Sequence, residues 1–205
     1  KISARGRNNI THRIMFYWAM RIAMDSGMRI GSLKKLKWKH IDENTALPEE
    51  KKKEWCCIDV PAENTKTGIA YRCTAPIVKH LNALRKVINR EMLKPNDLIF
   101  CNQKTGEAWS EKIWQDALVD MMMEADLADR NKEAVNKAMI VKSGKDISWY
   151  SFRHSFITWR LKAGQKIEEV AAHCDTSIEY IQKHYYHADL SSSRMIDNLE
   201  LGRYT

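Results

Sequence analysis

Apolar residues recur at helical spacing over residues 9–24, where Ile10, Ile14, Trp18 and Ile22 share one face and predict a buried helix. Asp25-Ser26-Gly27 stops that helix, with Gly27 suited to a left-handed cap. Residues 29–37 predict a second short helix with Ile30, Leu33 and Leu36 inward, and the polar run 42–53, which includes Pro48, reads as a loop. The segments 54–62 and 71–77 are rich in strand formers and flank Asn64-Thr65-Lys66-Thr67-Gly68, a turn signal, so they predict an antiparallel hairpin. Helical periodicity returns over 78–90 and 109–125, separated by the short apolar stretch Leu98-Ile99-Phe100, a strand or connector. Residues 126–148 are polar and carry no clear period. The last third predicts a helix over 150–163 ended by Gly164, two short helices at 166–173 and 176–186 around a turn, and a terminal helix over 189–201. The pattern is mainly α with a small antiparallel β-sheet, an α+β class.

A chain of 205 residues, 44% of them hydrophobic, holds enough apolar material for one domain. We divide it into a linker at 1–8, a core at 9–188 and a tail at 189–205. No stretch reaches the roughly 18 uncharged apolar residues that a membrane-spanning helix needs, so no membrane partner is expected. Lysine and arginine number 34 against 26 acidic residues, a net charge of +8 that suits a polyanionic partner. The five cysteines are odd in number and form no C-x-x-C pair, which argues against a disulfide scaffold or zinc ribbon and for free buried thiols in a reducing compartment, the cytoplasm. His173-Cys174 with His184 and His187 is a weak cation candidate, because a turn splits the set; no metal is expected. Met121-Met122-Met123 reads as core filling.

Certain polar residues bear on chemistry. Arg29 follows a glycine-terminated turn and opens a helix, where backbone N–H groups favour an anion. Arg153 lies on a helix with Tyr150 three residues before it, on the same face. Two planar guanidinium forks can grip both nonbridging oxygens of a phosphodiester. Lys66 sits on the hairpin turn, where a flexible amine can reach a leaving group. Tyr185, flanked by His184, Tyr186 and His187, needs help to ionise, since a phenol has a pKa near 10. Taken singly, each of these is an ordinary surface or packing residue; their order along the chain is what carries weight.

That order resembles the tyrosine recombinases, the phage integrase family. The segment 26–42 (SGMRIGSLKKLKWKHID) is similar to its first arginine box, 150–164 (YSFRHSFITWRLKAG) to its second, and 173–187 (HCDTSIEYIQKHYYH) to the segment ending in the nucleophile, with the pattern Tyr-x-His. NTKTG (64–68) falls where that family carries a lysine on a hairpin. The resemblance spans residues 9 to 190 and implies a catalytic-domain fold that cleaves and rejoins DNA strands through a 3′-phosphotyrosyl bond. It implies double-stranded DNA as partner, a homo-tetramer on DNA, and no cofactor, metal or ATP. It also implies a separate upstream helical domain, with nothing here to match it.

Carried across, Arg29 and Arg153 bind the scissile phosphate, Lys66 protonates the departing 5′ oxygen, and Tyr185 attacks, with Tyr186 as its competitor. Three positions depart from the family pattern. Tyr150 stands where histidine or lysine is common. Asp175 falls near the slot that usually holds histidine or tryptophan, so that either His173 takes that role or the role is vacant. Ser32 stands where an acidic residue is frequent. Alternative readings are a non-catalytic or impaired DNA-binding module, to which the helix-turn-helix character of 166–186 speaks, and a type IB topoisomerase-like enzyme. The tail, with Met195, Ile196, Leu199 and Leu201, is expected to dock on a neighbouring subunit or on its own domain.

Overall fold

A computed structural model describes residues 4–43, 47–130 and 139–185. The first helix, α1, runs Ala4–Ser26, so the expected linker at 1–8 is helical from Ala4 onward. Its buried face is also rotated from the expected one. Met15, Ala19, Ile22 and Ala23 are sealed while Ile10 is 44% exposed. The reason is that α1 is covered on several sides, packing against α4 (Val78–Val87), α5 (Glu111–Glu124) and α6 (Trp149–Lys162). The sealed residues still form one stripe, at i, i+4, i+7 and i+8, turned away from the Ile10–Ile14–Trp18 edge.

Between α1 and α4 the chain forms α2 (Ile30–Lys34), a three-stranded sheet and a short helix, α3 (Glu49–Lys52), inside the segment expected to be a loop. Pro48 immediately precedes α3, and acidic residues open it while lysines close it, both favourable to the helix dipole. The sheet order is β1 (Ile41–Asp42), β2 (Cys56–Val60), β3 (Tyr71–Ala75), all antiparallel. The β2–β3 register runs from Cys56 opposite Ala75 to Val60 opposite Tyr71, so residues 61–70 form the hairpin connection. The sequence expectation of one hairpin is met, with β1 added at its edge. Leu98 bridges back to Lys37 as a connector.

Ser110 accepts a hydrogen bond from the Ile113 N–H and starts α5. After it, the segment with no clear period holds a second hairpin, β4 (Ala128–Arg130) against β5 (Met139–Val141). A Ser148/Ser151 capping box opens α6. Two short helices follow, α7 (Ile167–His173) and α8 (Ile178–Tyr185). The expected helix at 189–201, the tail, Tyr186 and His187 lie outside the described residues.

Two apolar clusters hold the domain. The large one joins α1, the sheet, α4 and α5, with Phe16 and Trp114 each in ring contact with Trp109, Trp149 and one another at 4.5–6.3 Å. The small one joins α6, α7 and α8 through Phe156, Ile157, Val170, Ala171, Cys174 and Ile181, with Tyr185 packed against it. The five cysteines are buried free thiols. Among the described residues no helix is long and apolar enough to cross a membrane.

Candidate active site

The turn that ends α1 organises the polar residues near the junction of α1, α6 and α7. Gly27 takes a φ of +65°, the left-handed conformation glycine tolerates best. The Ser26 hydroxyl donates to the Ile22 carbonyl at 2.6 Å and accepts from the Met28 N–H at 3.3 Å. Two carbonyls of this turn then face distant side chains. Arg153 Nη1 donates to the Gly27 oxygen at 3.0 Å, and His173 Nε2 donates to the Ser26 oxygen at 2.9 Å.

Arg153 is 1% exposed, yet its Nε and Nη2 have no hydrogen-bond partner among the described residues. Arg29 is similar. Its Nη2 donates to the Asp175 carbonyl at 2.5 Å, while Nε is buried and unpartnered, 3.9 Å from Asp175 Oδ2. A buried guanidinium normally has its donors filled, and each missing bond costs about 1–3 kcal/mol or more, so unfilled N–H groups mark a place built for an acceptor. Arginine forks of this kind match the oxygens of a phosphate or carboxylate.

Lys66 is exposed on the β2–β3 connection. That connection is tied to the arginine side by Ser32 Oγ, which donates to the Asn64 carbonyl at 2.7 Å, and by Thr67 Oγ1, which donates to Asp175 Oδ1 at 3.0 Å. Arg29, Lys66 and Tyr150 thereby line one open cleft of about 410 Å³, with Ser32 and Thr65 on its wall. Sequence reasoning noted Ser32 as a departure; its hydroxyl positions the lysine-bearing turn.

Tyr185 closes the site from α8. Its hydroxyl hydrogen-bonds His154 Nδ1 at 2.5 Å, and the two rings lie 5.2 Å apart. Tyr150 meets the same imidazole edge-on at 4.6 Å, and its nearness helps push the Tyr180 hydroxyl above its ordinary value. Burial, then Tyr150 and Tyr180, push the Tyr185 hydroxyl above its ordinary value, with Arg153 pulling the other way. Burial, then Arg153 and His184, hold His154 below the ordinary 6.5, so its imidazole is neutral at neutral pH. In the sequence His154 counts only as part of the Arg-His pair of the second box and carries no role of its own. Its signals were its place beside Arg153 and its position four residues after Tyr150, one helical turn along.

The structure brings Arg29, Lys66 and Tyr150 to the cleft, and Tyr150 to Tyr185 through His154. It places His173 differently. That ring is stacked on Phe156 at 5.1 Å and 17°, and its Nε2 is committed to the Ser26 carbonyl. Burial lowers its pKa most, against the raising effect of that hydrogen bond. Asp175, with a φ of +50°, instead turns its carboxylate toward Arg29 and Thr67. Tyr71 was also missed: its buried hydroxyl lacks a partner among the described residues, and Arg153 and Asp175 are near enough to influence its ionisation. Nothing in a strand tyrosine's sequence context signals that position. No group of three metal-ligating side chains occurs among the described residues.

Comparison with known proteins gives a family and a fold. The phage integrase family profile matches residues 2–191. Among solved structures, XerH site-specific recombinase bound to its palindromic difH substrate in a post-cleavage complex is 20% identical, with a TM-score of 0.62 over 98% of this chain and 47% of that one. The Tn1549 transposon integrase in complex with circular intermediate DNA is 19% identical, with a TM-score of 0.56 over 92% of this chain and 59% of that one. XerA recombinase is 15% identical, with a TM-score of 0.56 over 98% of this chain and 63% of that one. The chain thus spans about half to two thirds of the length of these structures. Comparison with curated protein sequences gives no match.

Proposed function

The chain belongs to the phage integrase family, and from that premise we propose that it is a site-specific recombinase that cleaves and rejoins DNA strands through a 3′-phosphotyrosyl intermediate. The observation that carries this reading is the set of three buried guanidinium nitrogens, Arg29 Nε and Arg153 Nε and Nη2, that make no hydrogen bond among the described residues. These two arginines grip the nonbridging oxygens of the scissile phosphate and stabilise the charge that builds as phosphorus becomes pentacovalent. Tyr185 attacks phosphorus, and Lys66, mobile on its turn, protonates the departing 5′ oxygen. The phosphotyrosyl bond conserves the energy of the phosphodiester, so a 5′ hydroxyl can reverse the step.

Tyr150 holds a phosphate oxygen or its neighbouring ring without adding charge. His173 acts through the turn: by donating to the Ser26 carbonyl it fixes the segment that carries Arg29. The partner is double-stranded DNA, bound by a homo-tetramer, and residues 1–205 serve as the catalytic domain. The cytoplasm, where such DNA lies, is the expected compartment. A second reading, a slow or non-catalytic DNA-binding module, is favoured by one contact: Asp175 sets a carboxylate beside the arginine that should meet phosphate.

The test is a pool of nicked suicide duplexes randomised on both sides of the nick, incubated with the protein and resolved on a denaturing gel. A DNA-linked protein band that disappears in Tyr185→Phe and persists in Tyr186→Phe is the expected result. Persistence in Tyr185→Phe overturns the assignment of the nucleophile. Salt-sensitive DNA binding with no covalent band overturns strand transfer in favour of the binding module.

A further inference from the structure

We propose that His154 is a catalytic residue, the base that takes the Tyr185 proton during attack and returns it when the strand is rejoined; this rests on the reading of Tyr185 as nucleophile. The geometry is direct. Nδ1 of His154 lies 2.5 Å from the Tyr185 hydroxyl, within hydrogen-bond reach for a general base. The other histidine weighed for this site is engaged elsewhere, with His173 Nε2 on the Ser26 carbonyl and its ring against Phe156. Tyr150, which stands where a histidine or lysine is common in the family, touches the His154 ring by its edge and offers a hydroxyl rather than an imidazole nitrogen.

The surroundings set the direction of transfer. The groups facing His154 are Arg153 and Tyr150 on α6, and His184 and Tyr185 on α8, with Tyr180 behind Tyr150 and Tyr185. Burial first, then Arg153 and His184, keep the imidazole neutral, and burial keeps the phenol protonated. A phenol so held does not attack unaided; it needs a base in contact.

The step balances. As the Tyr185 Oη–P bond forms, its proton passes to His154 Nδ1, giving an imidazolium. The P–O5′ bond breaks, and O5′ takes a proton from Lys66. In rejoining, the attacking 5′ hydroxyl returns its proton to Lys66, and the departing Tyr185 oxygen regains its own from His154. The imidazolium beside Arg153 is disfavoured in the resting site, and becomes tolerable only as negative charge grows on the phosphorane.

The test uses a duplex captured by the wild-type protein from the randomised pool. His154→Asn places an amide oxygen near the Nδ1 position, so it can hold the Tyr185 hydroxyl yet cannot take its proton. We expect covalent-bond formation to slow about 100-fold or more, with binding of the same duplex unchanged by fluorescence anisotropy. His154→Ala should slow as much and recover when imidazole is added. The wild-type rate should rise with pH to a plateau, while His154→Asn shows no such plateau. Wild-type-like cleavage by His154→Asn overturns the proposal and assigns His154 to holding the ring in place. An arm independent of DNA is nitrogen NMR of the free protein. His154 should be the neutral Nε2–H tautomer, with an Nδ1 signal that moves in Tyr185→Phe; a proton on Nδ1 at neutral pH overturns the proposal. If the pool yields no covalent band with wild type, strand transfer fails, and the NMR result still decides whether His154 accepts from Tyr185.

Discussion

Replacing Gly27 with alanine should unfold much of the domain's stability margin, and the cost can be worked from two contributions. The first is conformational. At a φ of +65° a residue with a Cβ is strained by roughly 1–2 kcal/mol. The second is steric. A Cβ built on Gly27 would lie 2.4 Å from Phe156 Cδ1 and 2.8 Å from its Cγ and Cε1. The ring has little room to yield, because it is 4% exposed, stacked on His173 and covered by the Arg160 guanidinium at 4.9 Å. Overpacking of such a site costs typically 1–3 kcal/mol. The sum is about 2–5 kcal/mol, a large part of the 5–15 kcal/mol that ordinary domains possess.

Urea denaturation followed by circular dichroism measures it, and the melting temperature should fall by about 2–4 °C for each kcal/mol at this chain length. Gly27→Asn separates the contributions, since asparagine tolerates the left-handed region but carries the same Cβ. It should recover only the smaller, conformational part. Gly27→Ala combined with Phe156→Leu should be less destabilised than the two single costs added together. A loss below about 1 kcal/mol for Gly27→Ala, or strict additivity with Phe156→Leu, would refute the steric argument.

Other changes probe the site. Asp175→Asn keeps the acceptor for Thr67 and tolerates the positive φ, but removes a charge that repels an incoming phosphate by on the order of 1–3 kcal/mol at an effective dielectric near 20; DNA binding by anisotropy should tighten about tenfold, and unchanged or weaker binding would sink the argument. Arg153→Lys retains charge but loses the fork, so single-turnover cleavage of the captured duplex should fall about 100-fold; cleavage at the wild-type rate would show that no paired hydrogen bond is made. His173, His154 and His12 all have pKa values lowered by burial. Below pH 6.5 the unfolded chain therefore binds protons that the folded chain refuses, and stability falls as pH drops through 6.5 toward the folded values. Thermal unfolding from pH 7.5 to 5.5 should show this decline, and His173→Gln should flatten it; an equal slope in the variant would refute the part assigned to His173.

Where chemistry depends on nearest neighbours along the chain, the sequence was readable. The helix stop at Gly27, the hairpin around Lys66 and the helix that carries Arg153 all follow from local period and turn residues. The β4–β5 hairpin did not, because each strand is three residues long, Ala128-Asp129-Arg130 and Met139-Ile140-Val141, too short to show a period of two. The buried face of α1 was misjudged because apolar residues line two adjoining stripes that share Ile22, and only the one through Met15 and Ala19 is sealed by α4, α5 and α6. His154 and Asp175 were harder still. Their partners lie 31 and 146 residues away, and no local rule announces that Asp175 will meet Arg29 or that an imidazole beside Arg153 will hold Tyr185. His173 drew attention by type, and only its contact with the Ser26 carbonyl gives it another use.

The carbonyls of the Ser26–Gly27 turn have a consequence for the order in which the molecule is made. During synthesis this turn emerges early, while the side chains it receives, Arg153 and His173, come 126 and 147 residues later. A nascent chain exposed only as far as the β-sheet would already present Arg29 and Lys66, and could cling to a polyanion. It would still lack both the second arginine and the tyrosine. The proposed strand-cleaving chemistry would thus wait on translation itself, until α6 and α7 have docked on the first turn and α8 has brought Tyr185 to His154.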